Sequence, residues 1–166
     1  MSIVVDITEI STMLAAAGVL FGVVYYILDV RNQAMIRKTE LVTRLYSHIY
    51  GSGDLQRARK KVLGITYEDY DDFVKKYGTP NSEEPVPVAI AQILYSFEEA
   101  GVLLSKKLVD VDLIDQLMGL NILRVGTKLM PLIEEARKRL NLPRVWTNFE
   151  YLYNEMKKRE QQLAKI

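Results

Sequence analysis

Between Ile10 and Leu28 the chain reads ISTMLAAAGVLFGVVYYIL, a run without a single charge. As a helix rising about 1.5 Å per residue, such a run is close to the thickness of a bilayer's hydrocarbon core. Asp6 and Glu9 are the only charges before it, whereas Arg31, Arg37, Lys38 and Arg44 follow it. The excess of basic residues on one side predicts residues 1–9 outside the cell and everything after the span in the cytoplasm. Tyr25 and Tyr26 fall at the end of the run, where aromatic rings favour the headgroup region. A cleaved signal peptide needs a basic start, which is missing, and a buried core helix is seldom so free of charge.

Beyond the run, apolar positions recur every three or four residues and never alternate long enough to suggest a strand. Residues 29–50 continue the span as a juxtamembrane stalk, with Leu41, Val42, Leu45, Tyr46 and Ile49 forming a stripe. Gly51-Ser52-Gly53 breaks it. Asp54 is placed to cap a short basic helix ending at Gly64, and Thr66 with Asp69 to open another that ends at Gly78. TPNSEEPVP reads as a loop because of its prolines. Residues 88–106 carry Ile93, Leu94 and Phe97 on an apolar face. A stripe from Met118 through Ile122, Val125, Leu129, Leu132 and Ala136 to Leu140 predicts a second core helix packed on the first. Pro131 should kink or divide that helix. Thr147 and Glu150 have the spacing of a capping box for the last helix. The expected fold is all-α: a single transmembrane helix (10–28), a stalk (29–50) and a cytoplasmic helical bundle (51–166).

Composition narrows the chemistry. There is no cysteine and one histidine, His48, which excludes thiol catalysis, disulfides, iron–sulfur clusters and multi-histidine metal sites. Twenty-two basic residues against 21 acidic ones give no field for nucleic acid. No metal or cofactor is expected. The aspartates of DVDLID lack the glycine and fifth-position ligand of a calcium loop and read as helix caps.

Three groups of residues stand out. Gly18 and Gly22 form a GxxxG, with Ser11 and Ala15 as a second small pair, a pattern that lets helices approach closely in lipid. Arg57, Arg59, Lys60 and Lys61, with the juxtamembrane Arg31, Arg37 and Lys38, are candidates for contact with anionic headgroups. Glu98 and Arg124 sit among apolar neighbours and suggest a structural ion pair, since an unpaired buried charge is costly. Helical geometry makes Glu98 the more buried of the Glu98–Glu99 pair.

The segments YEDYDDF, SFEEAGVLLSKKLVDVDLIDQLMG and NFEYLYNEM resemble those of a family of uncharacterised membrane-anchored helical proteins in bacteria and archaea. The resemblance covers roughly residues 40–157. Its most specific pieces are Phe97-Glu98-Glu99-Ala100-Gly101-Val102-Leu103-Leu104 and Phe149-Glu150-Tyr151-Leu152. It implies architecture and location and no reaction. The sequence thus favours a membrane-anchored, non-enzymatic interaction module, an accessory subunit or scaffold of a membrane complex or a homo-oligomer. Its expected partners are membrane lipids and a protein, or a second copy through the span. The alternatives are an anionic-lipid-binding or membrane-remodelling protein and, less favoured, a carboxylate enzyme at the membrane surface.

Overall fold

Hydrophobic periodicity and capping residues together account for the helices seen in the computed structural model, which describes residues 7–164. Asp6 and most of the expected outer segment 1–9 lie outside those residues. The elements are α1 (Ile7–Gly51), α2 (Gly53–Gly64), α3 (Tyr70–Tyr77), α4 (Pro85–Ser105), α5 (Val111–Ile114), a π-helical turn (Asp115–Gly119), α6 (Leu120–Leu140) and α7 (Thr147–Leu163). No strand occurs among the described residues. The chain divides into two compact units, Met1–Lys38 and Thr39–Ile166.

In the first unit α1 is exposed on every side. Phe21 is 76% exposed, and Met13, Leu14, Leu20 and Tyr25 are all about as open. The helix is long and apolar enough to cross a membrane.

The second unit is an all-α bundle that includes the end of α1. Val42, Leu45 and Ile49 are buried there, so the stripe expected of a stalk is part of the core. Further in lie Val62, Phe73, Ile93, Leu94, Phe97, Ile114, Met118, Ile122, Val125, Leu129, Phe149, Leu152 and Met156. Leu132 is buried as well. α4 packs chiefly on α7 and α2, while α6 meets α7 and, more lightly, α2 and α3. Direct packing of α4 on α6, expected from their matching stripes, is therefore slight. Instead their apolar faces look onto a shared cavity of about 250 Å³, lined from α4 by Ile90, Leu94 and Tyr95 and from α6 by Leu129, Ile133 and Ala136.

Several helix boundaries differ from those read in the sequence. Ser52, not Asp54, caps α2, its Oγ accepting from Leu55 N at 3.3 Å, because Gly53 already belongs to the helix. Asp69 caps α3 by accepting from Asp72 N at 2.8 Å, which leaves Thr66 outside the helix. Pro85 begins α4, where a missing N–H costs nothing, so the proline-rich loop ends earlier than expected. Asp110 caps α5, as anticipated for this cluster. Pro131 does not divide α6. The residues on both sides of it (Leu129, Met130, Leu132 and Ile133) are buried, and their packing holds the helix through the lost hydrogen bond. α6 ends at Asn141 in the left-handed region (φ 52°), a position asparagine tolerates.

Candidate functional site at the junction of α4 and α7

Glu98 is half-buried on α4 and Glu99 is exposed, as the helical geometry required. Its partner is not Arg124. Oε1 of Glu98 accepts from Asn148 N at 3.3 Å and from Asn148 Nδ2 at 2.8 Å, and Oε2 accepts from Phe149 N at 2.7 Å. These backbone groups belong to the first turn of α7, whose N–H groups have no partner within the helix. The carboxylate is thus a cap supplied from another helix, placed where the helix dipole favours a negative charge. Arg124 is exposed on α6, and among the described residues no ion pair joins it to Glu98.

The cap replaces the expected capping box. Thr147 turns its hydroxyl to Arg144 O at 3.4 Å, and Glu150 pairs with Arg137 Nη1 at 2.7 Å. Arg137, whose side chain is only 14% exposed, also donates through Nε to Val145 O at 2.8 Å. It thereby ties the α6–α7 loop to both helices. Trp146 precedes α7 with φ 58°, and its ring meets Tyr95 edge-on at 4.8 Å.

Two further contacts close the junction. Phe97 stacks on Phe149 with centroids 5.9 Å apart and planes inclined by 11°. Gly101 lets the backbones touch: a Cβ there would stand 2.1 Å from the carbonyl oxygen of Asn148. A similar gap at Gly126 receives the ring of Tyr153, which a Cβ would meet at 2.1 Å. The FEEAG and NFEYL segments therefore form one interlock. Three N–H donors occupy the two oxygens of Glu98, so the geometry positions helices and leaves no carboxylate oxygen free of protein donors.

A family match now accounts for the extent of this pattern. The family described as Domain of unknown function (DUF4760) matches residues 12–156. The chain belongs to this family. The match reaches further toward the N-terminus than the resemblance read from residue 40 onward, because it takes in most of the apolar part of α1. It ends at Met156, which is fully buried in the core. The α4–α7 interlock lies wholly inside the DUF4760 match. No curated protein and no solved structure matches the chain.

The other residues singled out in the sequence lie apart from this junction. Ser11, Ala15, Gly18 and Gly22 are exposed in the first unit, and nothing lies within 4 Å of a Cβ built at either glycine. Arg31, Arg37 and Lys38 are exposed in that unit too. On α2, Arg57 pairs with Asp54, while Arg59 donates to Gln56 Oε1 at 2.6 Å and lies over the Tyr50 ring at 4.9 Å. Burial raises the pKa of that phenol, against the pull of the nearby guanidinium. Lys60 and Lys61 are exposed. Among the described residues no group of acidic or histidine side chains is arranged to hold a metal.

The sequence reading missed the close approach at Gly101 and the role of Lys128. A lone glycine in an apolar helix is a signal for such an approach. Lys128, a cation within the α6 stripe, donates to Leu63 O at 3.1 Å and Ile65 O at 2.5 Å and so covers one carbonyl in the last turn of α2 and one just beyond it.

Proposed function

We propose that this chain is a membrane-anchored, non-enzymatic interaction module in which α1 spans the bilayer and the helical bundle docks a protein partner. In this reading the segment before the span is outside the cell, the bundle is cytoplasmic, and Ser11, Ala15, Gly18 and Gly22 form a helix-docking face within the lipid. The observation that carries it is the contrast in burial between two apolar helices. None of the most apolar window of α1 is buried, against 44% of the corresponding window of α4. An apolar helix open on every side requires either lipid or another protein around it. The basic residues after the span support the orientation. The occupied oxygens of Glu98 support a structural role over catalysis. The resemblance to membrane-anchored proteins of bacteria and archaea points the same way.

The test is purification of the full chain from its native membranes in mild detergent after cross-linking. A protein partner or a second copy is expected to co-elute, and Gly18→Leu with Gly22→Leu is expected to weaken that association. A chain that elutes alone and uncross-linked would contradict the interaction reading.

A further inference from the structure

Arg124 and Lys128 lie one turn apart on α6, beside the segment that leaves α2. Together with Ile65, Thr66, Tyr67 and Thr127 they line a shallow depression. No carboxylate lines it, and among the described residues no ion pair includes either cation. The nearby acid Asp72 is engaged by Lys76 at 2.7 Å. Lys128 is held in place: its ammonium donates to Leu63 O and Ile65 O, which leaves one of its three N–H groups. Tyr67 fixes the same turn from the other side by donating its hydroxyl to Lys128 O. Arg124 is exposed and carries a planar fork of donors. Like charges four residues apart on a helix repel, and an anion between them would reverse that effect.

We propose that this depression binds a phosphate-type oxyanion, with Arg124 as the forked donor and Lys128 as a fixed point charge. Guanidinium geometry suits two oxygens of one phosphate, and an ammonium already anchored loses little freedom on binding. The site lies wholly in the second unit and does not depend on the span. A free phosphate compound and a lipid headgroup would present the same chemistry.

The experiment follows backbone amide shifts of Thr66, Tyr67, Thr127 and Lys128 in the full chain. One arm titrates inorganic phosphate into protein in neutral maltoside micelles, with chloride at equal ionic strength as reference. The other places the protein in nanodiscs of phosphatidylcholine, alone or with phosphatidylglycerol, in phosphate-free buffer. Saturable shifts at these residues are expected in at least one arm. A response to phosphate alone identifies a soluble ligand, and a response to phosphatidylglycerol identifies a headgroup. Arg124→Gln, at an exposed position, is expected to keep the fold and weaken binding about tenfold or more, with Arg124→Lys in between. Shifts reproduced by chloride, absent in both arms, or unchanged by Arg124→Gln would overturn the proposal.

Discussion

Among the described residues two helices are long and apolar enough to cross a membrane, yet they differ in what their residues touch. The apolar window of α1 has no buried residue, and its glycines face open space. In α4 nearly half of the window is buried, and its carboxylate Glu98 caps α7. Its glycine, Gly101, meets another backbone. Apolar length therefore does not distinguish a span from a core helix. The carboxylate that α4 commits to α7, and the close approach at Gly101, mark α4 as a core helix.

That contrast is open to direct attack. The largest expected effect is at the phenylalanines. Phe97→Ala removes a fully buried ring stacked on Phe149 and should cost about 3–5 kcal/mol of unfolding free energy. Phe21→Ala, at a ring 76% exposed, should leave the denaturation midpoint of the bundle unchanged. Equal losses from both would erase the distinction.

The glycines give the next largest difference. Gly101→Ala forces a methyl group against the Asn148 carbonyl and should destabilise by about 1–3 kcal/mol, whereas Gly18→Ala should not lower bundle stability at all. Thermal melts of the two variants side by side decide the point.

A smaller loss is expected at Glu98. Removing a cap costs about 0.5–2 kcal/mol, less than stranding a buried cation would. Glu98→Ala should fall in that lower range, and its effect should add to that of Arg124→Gln without coupling. A coupling energy near 2 kcal/mol in the double-mutant cycle would restore the ion pair.

The smallest effect is electrostatic. Hydrogen bonds from Arg139 hold the carboxyl groups of Asp71 and Glu135 below their usual range. The folded state therefore binds fewer protons than the unfolded one as pH falls through the carboxylate range near 4. The stabilisation is present at neutral pH and disappears in acid. Arg139→Gln should melt slightly earlier than the parent at pH 7 and converge with it in acid, as melts across that range would show. A gap that widens in acid would reverse the assigned sign.

Much of this architecture could be read from the sequence, for reasons that differ between residues. The core positions Ile93, Leu94, Phe97, Ile122, Val125, Leu129 and Leu132 are all buried, because helical periodicity depends only on local spacing. Of Asp110 and Asp112, either of which could start the next helix, Asp110 is the cap. The pairing of helices was not legible. Matching stripes on α4 and α6 suggested close packing, but Gly101 draws α4 to α7, and α4 and α6 share the lining of a cavity. The partner of Glu98 was hidden for the same reason. Burial of a carboxylate requires donors, and sequence does not reveal whether a guanidinium or a helix N-terminus 50 residues away supplies them.

An anchoring role for α1, beside a bundle able to fold without the apolar segment, is open to a single experiment. That experiment compares the full chain with residues 39–166 by membrane fractionation and alkaline carbonate washing. The full chain is expected to stay in the membrane pellet, and the fragment to be soluble, helical and cooperatively folded. A full chain released by carbonate, or a fragment recovered only as aggregate, would contradict it.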